Sequence, residues 1–295
     1  MHSSSDKPFW GEATSYLKYV CPAQVMNVVI AYSKVFSFCE EDYVVTRYVA
    51  EFINTLSSLA FVVYGAYGLS RPGRNGQTLA RLLSYSGLIG VGICSASYHM
   101  TLKYHTQMSD ELSMHLLTTP IVYRLLTFKS SPQRTKLVAV LLTVLFTVVM
   151  VTHMVMDEFL LHATTFGLAV YIIATRTLKL ISQQVPDERI RKNLRNIALF
   201  GCFNFAFGYF VWLLDNWLCS GLTSLKHSAG LPLAFLLELH GWWHIFTCIG
   251  GYVGVALVDA ITSGQVREDP VPHLAWPIPT AARFLGGADA SPKRE

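Results

Sequence analysis

Charged side chains are scarce in this 295-residue chain. Lys, Arg, Asp and Glu together make up 14% of it, whereas an ordinary globular domain carries about 25%. Apolar residues reach 52%, and the mean hydropathy is +0.38. Because so few charges cannot cover the surface of a soluble protein of this size, much of that surface must face lipid. The composition therefore argues against a disordered chain or a coiled coil and predicts an integral membrane protein.

Other features are also missing. Six cysteines in 295 residues are too few for a disulfide scaffold, and no CxxC pair occurs among them. The net charge is only +4, and the basic residues fall in short clusters between apolar stretches, so nucleic acid is not an expected partner. There is no internal repeat or second domain. Met1–Ser15 is polar, so no cleavable signal peptide is expected.

Seven apolar stretches are long enough to cross a bilayer as helices, which takes about 20 residues. The third is short and contains Pro120, which a membrane helix tolerates where neighbouring helices satisfy the backbone. The sequence therefore predicts an all-α, seven-transmembrane helix bundle. The predicted spans are Val45–Ser70, Leu79–Leu102, Asp110–Phe128, Leu137–Met154, Glu158–Ile181, Leu194–Leu218 and Pro232–Thr262.

Loop charges predict the orientation. The loops after spans one, three and five, together with the span ends beside them, carry twelve Lys and Arg residues, whereas the alternate loops carry only Lys103 and Lys226. Because basic loops stay in the cytosol, the N-terminus is predicted to be lumenal and the C-terminus cytosolic. The expected organisation is a lumenal segment over 1–44, a membrane domain over 45–262, and a cytosolic, loosely ordered tail over 263–295.

Histidines within the spans are the clearest sign of chemistry. His240 and His244 are four residues apart, so they share a helical face and can bind one metal ion. HxxxH pairs are common by chance in soluble helices, but two unpaired imidazoles inside a membrane are costly. His99, at the same predicted lumenal end, is the candidate third ligand; the alternative is an interfacial histidine that contacts lipid headgroups. Three histidines around zinc leave a fourth position for water, as in catalytic zinc sites.

Two more polar residues belong to this candidate site. Ser95 lies four residues before His99 and faces the same way, whereas Ser97 faces elsewhere. Asp110 follows His99 across a short loop and can reach the same pocket. The alternative for the Asp110–Glu111 pair is that the acids favour a helix N-terminus, which is the preferred interpretation of Glu111.

The remaining polar residues in and near the spans look less informative. Asp215–Asn216 fits a helix-packing hydrogen bond as well as a site role. Several histidines have no helical partner and are expected to be peripheral: His105, His115, His153, His162 and His227.

An acidic cluster precedes the first span. Glu40, Glu41 and Asp42 lie just before it, and Glu51 lies inside it. Carboxylate oxygens suit a hard cation such as calcium. The alternative is an ordinary acidic segment on a lumenal face.

Several motifs, taken together, resemble the alkaline ceramidases over about Phe9 to Thr262. The wider superfamily includes adiponectin-receptor-like proteins and GPI-lipid-remodelling hydrolases. The motifs are Phe9-Trp10-Gly11, Glu40-Glu41-Asp42-Tyr43, Ala50-Glu51-Phe52 with Asn54-Thr55, Tyr98-His99-Met100-Thr101-Leu102-Lys103-Tyr104, Asp110-Glu111-Leu112 and His240-Gly241-Trp242-Trp243-His244.

The resemblance implies a zinc-dependent enzyme of the endoplasmic reticulum or Golgi membrane with its active site toward the lumen. Zinc is implied on His99, His240 and His244, with Ser95 and Asp110 as the other catalytic residues. The implied substrate is a ceramide-type lipid, including dihydro- or phytoceramide, cleaved to a sphingoid base and a fatty acid.

The resemblance also implies calcium with a structural or regulatory role. Its ligands carry over to the side chains of Glu40, Asp42 and Glu51 and to the main-chain carbonyl of Phe38. Family members usually have Asn where Asp42 stands. Ser37 occupies the position of a further Asp or Asn ligand.

One departure from the family is the extra segment Tyr19–Ser37, for which two interpretations are open. Its partly apolar core is too short for a span and would suit an amphipathic piece on the lumenal face. A retained intron would explain it, because Lys18-Tyr19-Val20 is encodable with a GTATGT donor and Phe36-Ser37 with an acceptor AG. Its removal would leave Asn directly before Phe38 and restore the family's ligand position.

Two functions of other classes compete with amide hydrolysis. An adiponectin-receptor-like receptor would have its N-terminus in the cytosol, opposite to the orientation that the loops predict. A GPI-lipid-remodelling esterase would need a different substrate pocket.

Overall fold

The computed structural model describes residues 7–15, 38–71, 78–264 and 269–286. Within these ranges the regular secondary structure is helical, apart from an isolated bridge between Thr46 and Val49, so the all-α prediction is confirmed. Ser37 and the rest of Tyr19–Ser37 lie outside the described residues. The helices are α1 (Phe52–Ser70), α2 (Leu79–Thr101), α3 (Tyr104–Thr127), α4 (Pro132–Met156), α5 (Phe159–Gln184), α6 (Glu188–Ala229), α7 (Leu239–Thr262) and α8 (Ile278–Gly286), with short 3₁₀ helices at Leu233–Leu237 and Val271–His273.

Six of the described helices, α1, α2 and α4 to α7, are long and apolar enough to cross a membrane. The predicted third span corresponds to α3, which is not among them. This helix carries Asp110, Glu111 and Arg124, and these charges lower its hydropathy. Pro120 lies inside α3 without ending it.

The first helix begins later than the sequence predicted, at Phe52 rather than Val45. Glu40 explains this boundary. Its two carboxylate oxygens accept hydrogen bonds from the main-chain N–H groups of Ile53 (2.7 Å) and Asn54 (2.8 Å). These are groups that a helix start leaves without partners, so a carboxylate from outside the helix fixes where α1 starts.

The sixth helix is longer than predicted and runs to Ala229. Lys226 is therefore part of a helix and not of a loop. It is buried and forms an ion pair with Glu238 at 3.0 Å. The last span likewise begins at Leu239, after a 3₁₀ helix, and not at Pro232.

Contacts divide the chain into two compact units. The first comprises Met1–Val62, Gly90–Ser113 and Ala206–Cys248, and the second comprises Val63–Ile89, Met114–Phe205 and Ile249–Glu295.

In the first unit a disulfide joins Cys39 to Cys219, a pair that the sequence did not indicate. The same segment is held by two further contacts. The N–H of Cys39 donates to Asp215 Oδ2 at 3.1 Å, and Lys226 Nζ donates to the carbonyl of Cys39 at 2.8 Å. Asp215, which the sequence left ambiguous, thus anchors the segment that precedes α1.

In the second unit a buried carboxylate, Asp259 of α7, pairs with Arg81 and with Arg124, the latter at 3.0 Å. The chain after α7 also packs in this unit. Val271 and Ile278 are buried, and Tyr64 donates to the carbonyl of Trp276 at 2.7 Å. The expectation of a loosely ordered tail is therefore wrong for residues 269–286, because apolar side chains spaced along this segment have a surface to pack on.

Candidate metal centre and active site

The structure brings three buried histidines together in the first unit. His99 lies near the end of α2, and His240 and His244 lie in the first turns of α7. None is more than 4% exposed. Their ring centroids are 4.6 to 5.1 Å apart, and one nitrogen of each lies within 4.8 Å of the others. This spacing suits a single metal ion bound by three imidazoles.

Hydrogen bonds orient two of these rings. Glu51 Oε2 lies 2.5 Å from His99 Nδ1, and Ser57 Oγ lies 2.8 Å from His244 Nδ1. A ring that is held at Nδ1 keeps Nε2 for a metal. Metal-binding histidines generally have such a partner on the second nitrogen, since it fixes the tautomer and the ring orientation.

Local packing explains why the partners come from the start of α1. The main-chain N–H groups of Ala50 and Glu51 donate to the carbonyls of Met100 (3.0 Å) and His99 (2.9 Å), which ties this segment to the end of α2. Gly241 brings α7 equally close, because a Cβ there would lie 2.9 Å from the Ile53 side chain.

Ser95 and Ser97 of α2 face different ways, as the sequence predicted. Ser95 is 4% exposed, and its hydroxyl lies 2.9 Å from that of Ser58, which is itself 3.4 Å from His244 Nδ1. Ser97 instead donates to the carbonyl of Ile93 in its own helix. Ser95 therefore shares a polar network with the histidines, and Ser97 does not.

Asp110 lies in the second turn of α3 and is partly exposed. Ser113 donates to its main-chain carbonyl at 2.6 Å. The hydrogen bonds to His99 and His244 described above come from Glu51 and the α1 serines and not from Asp110. The described hydrogen bonds therefore give Asp110 no part in orienting those two rings.

The acidic residues before α1 differ in how deeply they are buried. Glu40 and Glu51 are buried, and Asn54 connects them, through its N–H to Glu40 and its side-chain amide to Glu51 at 3.2 Å. Burial and the nearby charge of Glu51 raise the pKa of Glu40 to about 8. The hydrogen bonds from the main-chain N–H groups of Ile53 and Asn54 lower this pKa but do not offset the rise. Asp42 is exposed. Two buried carboxylates so close together favour a bound cation or a proton.

The ring of Phe38, proposed from sequence only for its carbonyl, covers the histidine cluster. Its centroid lies 4.0 Å from that of His240 and 5.2 Å from that of His99. The Cys39–Cys219 disulfide directly follows Phe38 and fixes its position. An aromatic cover of this kind limits the access of water to the site.

Comparisons with known proteins show the family of the chain. A ceramidase family model matches residues 32–283, most of the chain. The chain belongs to the ceramidase family. Similar proteins include the alkaline ceramidase YPC1 of Saccharomyces cerevisiae, with 30% identity over 87% of this chain and 79% of that protein, alkaline ceramidase 3 of Mus musculus, with 28% identity over 84% of each, and alkaline ceramidase 1 of Homo sapiens, with 24% identity over 86% and 95%. The chain is thus a hydrolase of sphingolipid metabolism embedded in a membrane.

Sequence reasoning missed the serine pair that supports the histidines in this ceramidase family member. Ser57 and Ser58 lie three and four residues after Asn54, so all three share one face of α1. A polar stripe on one face of an otherwise apolar span is the signal that could have revealed them.

The peripheral histidines were only partly predicted. His105 and His227 are exposed, in agreement with the sequence. His115, His153 and His162 are at most 5% exposed, so the expectation that these three are peripheral is wrong. It failed because each lies on a different helix, and a spacing along one helix cannot reveal such a group.

Proposed function

We propose that this protein is a zinc-dependent amide hydrolase that cleaves ceramide, including dihydro- or phytoceramide, to a sphingoid base and a free fatty acid. The observation that carries the proposal is the group of three buried imidazoles, two of them held at Nδ1 by Glu51 and Ser57. The relatives named alkaline ceramidases supply the substrate class.

The proposed zinc ligands are His99, His240 and His244. Three neutral nitrogen donors in a buried site are a typical catalytic zinc set. When bound, zinc supplies Lewis acidity, which makes water a better nucleophile near neutral pH and polarises a carbonyl group.

Ser95 is proposed to donate a hydrogen bond to the carbonyl oxygen of the scissile amide as negative charge develops on it. Its neighbour Ser58 lies at hydrogen-bond distance and limits the orientations of the Ser95 hydroxyl. A donor aimed at an oxyanion in a site shielded from water typically contributes about 100- to 1000-fold in rate.

Asp110 is proposed as the proton carrier. Its carboxylate takes the proton of the attacking water and gives it to the nitrogen of the leaving sphingoid base, so that the amine departs neutral and the fatty acid keeps the new C–O bond. General acid–base groups of this kind typically contribute about 100- to 10,000-fold.

Calcium is proposed to bind before α1 with a structural role. The proposed ligands are Glu40, Asp42, Glu51, the main-chain carbonyl of Phe38 and the residue at position 37. The burial of Glu40 and Glu51 beside each other supports a cation here, because paired carboxylates in a low-dielectric setting otherwise repel. Glu51 would then connect this cation with the ring of His99.

Seven membrane spans are proposed, with the segment 1–44 in the lumen of the endoplasmic reticulum or Golgi and the tail 263–295 in the cytosol. The loop charges support this orientation. So does the Cys39–Cys219 disulfide, because disulfides persist in oxidising compartments and both cysteines lie on the side assigned to the lumen.

The segment Tyr19–Ser37 is proposed to be absent from the native protein, with Asn replacing Lys18. Sequencing the mature transcript tests this directly. A dominant transcript that retains the segment would refute it. A second test compares calcium-dependent melting of both chains, since a serine hydroxyl is a weaker ligand for calcium than an amide oxygen.

Ceramide hydrolysis by the purified protein tests the function. We expect release of a sphingoid base by the wild-type protein and its near-complete loss in His240→Gln. His105→Gln, an exposed histidine, is the control and should behave as wild type. Cleavage of a GPI-lipid ester in place of ceramide would replace the proposal with the esterase alternative.

A further inference from the structure

Three other buried histidines meet in the second unit, and they share no residue with the His99 group. His153 lies in the last turn of α4 and His162 in the first turn of α5. Asp157 between them has left-handed backbone angles (φ 52°, ψ 37°), which end α4 and reverse the chain. The ring centroids of His153 and His162 are therefore only 5.3 Å apart.

The third histidine comes from α3. The ring of His115 lies 5.1 Å from that of His162, measured between centroids. The three side chains are 5%, 1% and 3% exposed for His115, His153 and His162. One helical turn before His115, on the same face of α3, lies the buried carboxylate of Glu111.

The hydrogen bonds of this cluster resemble those of metal-binding histidines. His153 Nδ1 lies 3.1 Å from the carbonyl of Glu158. That contact requires a proton on Nδ1 and leaves the lone pair on Nε2, the arrangement that a main-chain carbonyl imposes on many metal-binding imidazoles.

Two further buried ring nitrogens are unpaired within the part of the chain that the structure describes. His115 Nε2 and His162 Nδ1 are buried and have no hydrogen-bond partner among the described residues. Leaving a buried polar atom unpaired is unfavourable, and it is rare enough to need an explanation. Two such atoms in one cluster of three imidazoles point to a shared ligand.

We propose that His115, His153 and His162 bind a second divalent metal ion of the zinc class, with a structural role. Imidazole nitrogens suit zinc and its neighbours in the first transition row far better than calcium or magnesium. One ion would accept the lone pairs of all three rings and crosslink α3, α4 and α5. Since none of these residues belongs to the proposed active site, the ion is expected to support the fold and not the hydrolysis itself.

The metal content of purified protein tests this second site. We expect about two zinc ions per chain in the wild type, about one each in His162→Gln and His240→Gln, and none in the double variant, because loss of one of three ligands abolishes tight binding. His105→Gln is the matched control from α3, with an exposed ring, and should keep about two.

Each outcome separates the two centres. If His162→Gln keeps as much zinc as the wild type, or if the wild type holds zinc only at the His240-dependent site, the proposal is overturned. If His240→Gln keeps its zinc while His162→Gln loses it, the proposed active-site ligands are wrong and the second site stands.

A melting experiment covers the case in which His162→Gln does not fold. His240→Gln protein is stripped with a chelator and then supplied with zinc alone. Binding to the native state should raise its melting temperature. An unchanged melting temperature would show that the cluster binds no zinc and would overturn the proposal.

Discussion

Each of the two histidine clusters of this protein consists of three imidazole side chains, but the groups around the two clusters differ. Around His99, His240 and His244, a carboxylate and hydroxyls from α1 hold the rings, and Ser95 belongs to the same network. Around His115, His153 and His162, the identified partner is a main-chain carbonyl, and two ring nitrogens have none among the described residues.

This difference indicates which of the two clusters is catalytic and which is structural. Ionisable and hydroxyl groups beside a metal tune its ligands and provide donors for a reacting substrate. The hydrogen bond described for the rings of the second cluster goes to a main-chain carbonyl, which can orient an imidazole for a metal ion but cannot act as an acid, a base or an oxyanion donor. We therefore expect chemistry at the first cluster and structural support at the second.

The largest expected effect is the loss of a ligand at the first cluster. His99→Ala, His240→Ala and His244→Ala should each lose the zinc of the first cluster and nearly all ceramide hydrolysis. In contrast, His162→Gln should keep most of its turnover at a temperature where it remains folded. A near-wild-type rate and zinc content in any of the first three would remove that residue from the ligand set.

The next effect concerns the hydroxyl beside the histidines. Ser95→Ala should keep its zinc but lose about 100- to 1000-fold in turnover, the range for one oxyanion donor. Ser97→Ala is the control two residues away, bonded to its own helix, and should stay near the wild-type rate. Equal losses in the two variants would reject the assignment of Ser95 to the site.

A smaller effect is expected from the carboxylate that holds His99. Glu51→Gln should weaken zinc binding by about 10- to 100-fold, as the loss of such a partner typically does. Zinc bound at the second cluster should be unaffected. Competition with a chelator measures both affinities, and an unchanged affinity at the first cluster would show that Glu51 does not support His99.

Calcium should give the smallest effect, and its size should depend on pH. Because the folded-state pKa of Glu40 is raised from 4.5 to about 8, the cation-free folded protein holds a proton that the unfolded chain has lost between these values. The contribution of Glu40 to the free energy of unfolding therefore falls as the pH rises from about 4.5 to about 8. A cation that binds the carboxylate displaces the proton, so stabilisation by calcium should increase with pH.

Melting curves with calcium and with a calcium chelator, at several pH values from 5 to 8, measure this dependence. Zinc content should not change. Glu40→Gln removes the titrating group and should flatten the pH dependence. A calcium response that is equal at all pH values in the wild type would contradict a role for Glu40.

The first cluster could be predicted from the sequence because most of its residues are close together along the chain. His240 and His244 are one helical turn apart, Ser95 and His99 are likewise, and an apolar span makes each of them conspicuous. The all-α architecture followed from hydropathy for the same reason.

What the sequence could not reveal depends on contacts between distant segments. The Cys39–Cys219 disulfide, the capping of α1 by Glu40 and the meeting of His115 with His153 and His162 each join residues that no periodicity connects. The late start of α1 and the packed segment 269–286 were missed for the same reason, because tertiary partners decide them.

Restoring zinc to metal-free enzyme tests the central proposal most directly. Wild-type protein is stripped with a chelator, and ceramide hydrolysis is measured as zinc is added back. We expect the stripped protein to be inactive. Activity should return as zinc fills the first cluster, which is the site that His240→Gln loses. Full hydrolysis of ceramide by protein shown to contain no metal would contradict a zinc-dependent mechanism.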